Sequence, residues 1–482
     1  MRLKGTLFRS LGQYDKAREY LEKALAIKKA VGDRDGEATI YGNLGTLFRS
    51  LGQYDKAREY LEKALAIKKA FGNRDGEAAI YGNLGTLVIA LGQYDKAREY
   101  LEKALAIQKA LGNRDGEATI YENLATLFRS LGQHDKVREY LEKALAIKKA
   151  VGNRDGEAAI YGKLRTLVIA LGQYDKAREY LEKALAIQKA LGNRDGEAAI
   201  YGNFGTLFIA LGQFDKAREY LEKALAIQKA LGNIDGEATT YAHLGTLFRS
   251  LGQYDKSREY LEKALAIRKA VGDRDGEANS YRNLGSLFIM FGQYDKAREY
   301  LEKALAIQKA LGNIDGEVII YASLGTLFQS LGQYDKSREY LEKALAIKKA
   351  VGDREGEATI YGNFGTLFIA LGQYDKAREY LEKALAFKKA VGDKDGEGNC
   401  YGNLGTLFLS LGQYDKAREY LEKALAIKKA VGDRDGEAAI YENLGTLFQS
   451  VGQYEKAREY LEKALAIKKA LGNRDEEASS YG

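Results

Sequence analysis

The stretch Ile40–Ala66, IYGNLGTLFRSLGQYDKAREYLEKALA, decides the architecture. Ile40, Leu44, Leu47 and Leu51 follow at intervals of four, three and four, with Tyr41, Gly45 and Phe48 beside them. That spacing lays one apolar stripe along an α-helix. Gly52 ends it. A second helix is expected from about Tyr54 to Ala70, burying Ala57, Leu61, Ala64 and Leu65. Asp55 near its start and Lys68 and Lys69 near its end suit the helix dipole. Glu59 and Lys63 form an exposed pair one turn apart. Gly72 supplies the stop. Asp75 is then placed to cap the next first helix, with Glu77 in its opening turn.

The unit recurs throughout. REYLEKALA stands at 18–26 and returns every 40 residues, twelve times without a change. One helical pair cannot bury its apolar stripe alone, so each must stack on its neighbours. No Pro and no polar linker marks a boundary. Residues 1–482 therefore read as a single continuous array of eleven complete 40-residue spacings with a truncated repeat at each end. The first ten residues finish a first helix and 474–482 begin another. Neither end carries the polar capping element of a free solenoid terminus, so the expectation is a part of something longer. The fold class is all-α, an α-solenoid.

The run Y-x-x-L-G-x-x-F-x-x-x-G-x-Y-x-x-A-x-x-x-L-x-x-A-L from Tyr41 to Leu65 resembles the tetratricopeptide repeat, and the resemblance covers the whole chain. It implies a right-handed superhelix of helix-turn-helix units whose first helices line a concave groove for partner peptides. Two features depart from the family. Lys69 stands where a Pro is usual. The unit is also longer than the common length of about 34 residues. With its GDRxGEA linkers and NLG helices, the long form is most similar to Pins/LGN-type spindle-orientation adaptors and to kinesin light chains.

A second stripe on the first helix, Thr39, Asn43, Thr46 and Ser50, flanked by Gly42 and Arg49, falls on the face that the resemblance assigns to the groove. This stripe varies among copies, whereas the second helix hardly does. Its Asn recurs in eight of eleven full units, as Asn43, Asn83, Asn123, Asn203, Asn283, Asn363, Asn403 and Asn443. An amide both donates and accepts, and the resemblance implies that these hold an extended or helical segment through its backbone. Bonding between neighbouring helices is the alternative. Arg49, Arg129 and Arg249 can grip carboxylates bidentately, and they alternate with copies carrying Ile-Ala, such as 89–90 and 209–210. That mosaic favours an acidic peptide with apolar anchors over a small-molecule substrate. The family's clamp for chaperone tails is discounted, because the corresponding places hold Gly42, Asn43 and Thr46.

One copy, YGKLRTLVIA (161–170), carries Lys163 in place of the Asn and Arg165 in place of a Gly kept in nine of eleven units. Lys163 lies on the groove stripe, where it could meet a ligand acid. Arg165 lies on the packed stripe. It is expected to snorkel outward and loosen its unit. At the position of Gly42 the copies include Glu122, Ala242, Arg282, Ala322 and Glu442, so that glycine is expected to be unconstrained.

The formal charge is +7, but the signs alternate along a chain that is 30% charged. A solvated surface looks like this, whereas a nucleic-acid binder concentrates its cations. Cys400 is alone, which excludes an intrachain disulfide. No apolar run nears the roughly 18–20 residues of a membrane span, and MRLKGTLFRS is no signal peptide. A cytoplasmic protein without membrane insertion is expected. His134 and His243 lack ligand partners at useful spacing and read as drifted positions. The linker GDRDGEA fails as a calcium loop, because placing Gly36 at the sixth position puts Val31 first and Gly42 twelfth. No phosphate loop or nucleophile–base pair appears. The expectation is a protein–protein interaction scaffold that is not an enzyme and takes no cofactor or metal. The alternatives are a ligand-sensing or autoinhibitory arm of a larger signalling protein, and an architectural spacer.

Overall fold

The computed structural model describes residues 14–471. They form twenty-three helices, α1 (Tyr14–Ala30) to α23 (Tyr454–Leu471), and among the described residues there is no strand. Even-numbered helices are the eleven first helices of the repeat and odd-numbered ones the twelve second helices. The second helix α3 runs Tyr54–Ala70 as the sequence places it, while the first helices, α2 at Arg34–Ser50 and α4 at Arg74–Ala90, begin two residues before the start that a cap at Asp75 would give. The turns use one device. Gly52 adopts a φ of 68°, and the Gln53 N–H reaches back to the Phe48 carbonyl at 2.9 Å, closing the helix end as only a left-handed residue allows.

The cap differs from expectation. Asn73 Oδ1 accepts from the Gly76 N–H at 2.8 Å, and Asp33 does the same for Gly36. The capping residue is therefore two positions before Asp75, because α4 already begins at Arg74 and takes Gly76 into its first turn. The aspartate freed from this duty ties repeats together. Asp35 Oδ1 receives the buried Lys68 Nζ at 2.7 Å and the Asn73 Nδ2 of the next repeat at 2.8 Å. Where Gln replaces Lys, Gln108 and Asn113 approach Asp75 at 3.1 and 2.8 Å. Gln108, Gln188, Gln228 and Gln308 are each followed five residues on by Asn, never Asp. A cap Asp there would face the clasp aspartate with no cation between them, which is costly at close range. Lys428, by contrast, bridges Asp395 and Asp433 at 2.7 Å each.

Within a repeat the two helices touch at the recurrent glycine. A methyl group on Gly45 would lie 2.6 Å from Leu61 Cγ and 3.2 Å from the Ala57 carbonyl. Tyr60 stacks on Phe48 with centroids 5.3 Å apart. Buried Ala57, Leu61, Ala64 and Ile67 form the facing stripe, while Leu65 is only partly covered. The other glycine is constrained in some copies only. A methyl on Gly42 would meet Ile80 Cδ1 at 2.9 Å, whereas around Gly162 and Gly362 nothing lies within 4 Å. Gly362→Ala should therefore stabilise the array by about 0.5–1 kcal/mol through helix propensity alone, read as a higher denaturant midpoint. No gain would place an unseen contact at that site.

Successive first helices pack against each other, while the closest neighbours of each second helix are the first helices beside it. The array therefore curves with the first helices inside. The curvature brings the chain back onto itself. A methyl on Gly52 would collide with the Gly312 carbonyl 260 residues on, six and a half repeats later, and Gly92 meets Val351 in the same way. The Tyr94 hydroxyl donates to the Gly352 carbonyl at 3.0 Å. Tyr174, on the same seam, has its phenol pushed up to about 12, by burial first and then by Asp395, Asp433 and Asp393.

Candidate functional site

The eight asparagines form a row along the inner helices, each half-buried. Among the described residues none of their side-chain amides bonds to the chain. The neighbour still comes close, since Asn123 Nδ2 lies 3.5 Å from where a methyl on Gly82 would stand. The amides are thus packed at one edge and open at the other. The threonines of the stripe are spent internally. Thr46 and Thr86 donate to the Asn43 and Asn83 carbonyls at 2.9 Å.

The predicted cations divide. Arg49 donates to Thr86 of the next repeat. Lys163 pairs with Glu122 of the previous one, so its charge is met within the chain. Arg129 is exposed and lines a cleft of about 230 Å³ together with Lys163, Glu122 and His134. Arg249 is half-buried and lines a cleft of about 300 Å³ with Met290 and Lys468. Asn363, with Thr326, Gln329 and Thr366, lines another of about 390 Å³.

The sequence reading undervalued three side chains here. His243, on α12 (Ile234–Ser250), sits against Gly202 of α10 (Arg194–Ala210), its Nδ1 3.9 Å from where a methyl there would stand. Burial, and next the charge of Arg165, holds its imidazole below the usual range. Arg165, on α8 (Arg154–Ala170), thus acts by its charge on His243 two repeats away. Burial lowers its guanidinium too, and its Nε has no partner. Arg282, on α14 (Arg274–Met290), is affected first by burial and then by Arg249, and its Nε is likewise unpartnered. Arg249 itself is lowered by burial. Among the described residues Arg165, Arg249 and Arg282 make no ion pair. A buried guanidinium without a counter-charge is costly. Positive charge therefore acts at two places along α12, that of Arg165 at His243 and that of Arg249 with Arg282. The available signal was the copy comparison, since Arg165, His243 and Arg282 each replace a small or neutral residue within four consecutive units.

Cys400 is buried, and burial pushes its thiol to about 11, which suppresses the reactive thiolate. Among the described residues no group of His, Cys, Asp and Glu could hold a metal ion, and no helix is long and apolar enough to cross a membrane.

A tetratricopeptide repeat family model matches residues 1–70, 76–150, 157–230, 236–310, 317–390, 370–430 and 399–470, and a second matches 203–268. No curated protein matches the chain. Among solved structures, a Rap protein complexed with Competence and Sporulation Factor is similar at 16% identity and TM-score 0.54, over 74% of this chain and 98% of that one. Yeast Tom70 is similar at 16% identity and TM-score 0.44, over 100% and 94%. Kinesin light chain TPR-like repeats from Podosopora anserina are similar at 26% identity and TM-score 0.32, over 39% and 94%.

Proposed function

Because the chain belongs to the tetratricopeptide repeat family, we propose that it is a protein-interaction scaffold whose concave groove holds an extended, acidic peptide segment of a partner protein. The chain acts by binding and not by catalysis. The supporting observation is the row of open amides together with Arg165, Arg249 and Arg282 on α8, α12 and α14, which no carboxylate among the described residues neutralises. Open amides suit the backbone of a bound strand. The cations suit its acidic side chains, which would supply the missing counter-charge. His243 and Arg249 are six residues apart on one helix, a rise of about 9 Å. Two acidic residues two or three positions apart in an extended peptide span a similar distance, at roughly 3.3 Å per residue.

The test is fluorescence anisotropy with a labelled peptide carrying two such carboxylates and a leucine anchor, against its Asn/Gln counterpart. The acidic peptide should bind at least tenfold more tightly, with affinity falling as salt rises. Equal affinity for both would remove the acidic specificity. No binding of either would remove the groove reading.

A further inference from the structure

The cleft of about 230 Å³ at α6 (Arg114–Ser130), α7 (His134–Ala150) and α8 gathers departures from the repeat. Five of its lining residues stand alone at their repeat positions. Ala125 replaces the contact glycine, His134 an aromatic Tyr or Phe, Val137 an Ala or Ser, and Lys163 chiefly an Asn. Glu355 is the only Glu where the other copies carry Asp, and it reaches the cleft from the next superhelical turn. Drift within one copy accounts for neighbours in sequence, but it does not bring in a departure from another turn. At the same register five repeats on, Gln329, Tyr334 and Asn363 take the places of Arg129, His134 and Lys163, and no charged residue lines that cleft.

The lining combines an apolar wall with charges of both signs. Ala125, Val137, Leu141 and Leu167 are buried apolar side chains. Glu122 and Lys163 pair with each other and are thereby spent. Arg129 and Glu355 are exposed, and among the described residues neither side chain makes an ion pair. Asp315 and Asp353, which share a second cleft with Arg129, are already held by Lys348 at 2.7 and 2.8 Å. His134 keeps a buried Nδ1 without a hydrogen-bond partner. Burial holds its imidazole below the usual range, against the opposing charges of Glu355, Asp393 and Asp135. A neutral imidazole offers one donor and one acceptor nitrogen, and a buried nitrogen left unbonded is costly.

We propose that this cleft binds a free α-amino acid with an apolar side chain, its carboxylate on Arg129, its ammonium on Glu355 and its side chain against Val137, Leu141 and Leu167. With Glu122 and Lys163 satisfied by each other, one cation and one anion of the lining remain to be met. The occupant therefore has to carry one charge of each sign on an apolar body. Its polar end also supplies the partner that His134 Nδ1 lacks, the carboxylate if that nitrogen carries the proton and the ammonium if it does not. Clefts for drug-sized ligands run from roughly 300 to 1,000 Å³, so the volume here selects a small molecule. A peptide held through its interior has neither terminal charge, which separates this site from the groove's acidic segment.

Isothermal titration calorimetry of the 482-residue chain with L-leucine, L-leucinamide and N-acetyl-L-leucine tests this. Leucine should bind one to one with a dissociation constant below about 1 mM. Leucinamide lacks the carboxylate and N-acetyl-leucine the ammonium, so each should bind at least tenfold more weakly. Arg129→Gln and Glu355→Gln should each weaken leucine binding by a similar factor. Both side chains are exposed, and Gln already stands at the first position in the copies with Gln329 and Gln449, so helix content and melting should stay unchanged. Leucine binding that is absent or weaker than about 1 mM, equal affinity for leucine and either derivative, or affinity that survives both substitutions would overturn the proposal.

Discussion

Gly285→Leu is expected to unlock α14 from α15 (Tyr294–Leu311) and raise amide exchange in both helices roughly five- to thirtyfold. The Cβ alone would fall 2.8 Å from Leu301 Cγ, 2.9 Å from Leu301 Cδ2 and 3.3 Å from the Ala297 carbonyl. Leu301 cannot swing aside, because it, Ala297, Leu284 and Leu287 are fully buried. Overpacking a closed core costs about 1–3 kcal/mol and sometimes more. The larger helix propensity of Leu returns somewhat under 1 kcal/mol. The net loss, about 1–2 kcal/mol, corresponds to that acceleration at 1.36 kcal/mol per decade. Exchange is the suitable readout, because a solenoid unfolds by neighbouring units and a single melting temperature blurs a local effect. Unchanged protection in α14 and α15 would show that the glycine does not set the helix spacing.

Arg165→Gly combined with Arg282→Ala is expected to move stability and binding in opposite directions. Both guanidinium groups keep a buried Nε without a partner, and a buried unsatisfied donor costs about 1–3 kcal/mol. Arg165 also occupies the helix-contact position that Gly fills in nine of eleven units. Returning it to Gly relieves the contact but forfeits about 1 kcal/mol of helix propensity. The pair together should raise stability by roughly 1–2 kcal/mol, seen in urea titration. The same variant removes one cation from each of the two places along α12, so affinity for the acidic peptide should fall at least tenfold. Charge-assisted hydrogen bonds of about 1.5–3 kcal/mol each would be lost. A drop in both quantities would mean the arginines serve the fold, and a rise in stability with unchanged affinity would mean they are packing defects alone. Retained strain at a binding surface is a common trade.

The local architecture was legible because it is periodic. Ile40, Leu44, Leu47 and Leu51 specify the inner helix, and α3 begins and ends at the residues expected. The cap was misplaced by two residues because Gly76 reads as a loop residue while serving as the first-turn donor to Asn73. Lys68 read as a dipole partner at a helix end, and its burial as the clasp on Asp35 depends on the next repeat. The return of Gly312 onto Gly52 was beyond sequence reasoning, because it accumulates small rotations over 260 residues. The second stripe of the first helix followed from helical spacing, but the engagement of Lys163 by Glu122 and the influence of the Arg165 charge on His243 depend on which repeats become neighbours.

On the proposed function, the inner face of the first helices, centred on α12, is the binding surface. Amide exchange of the chain with and without saturating acidic peptide tests it most directly. Added protection is expected in α8, α10, α12 and α14, with the intervening second helices unchanged. Protection confined to the odd-numbered second helices, or spread evenly over the array, would contradict it.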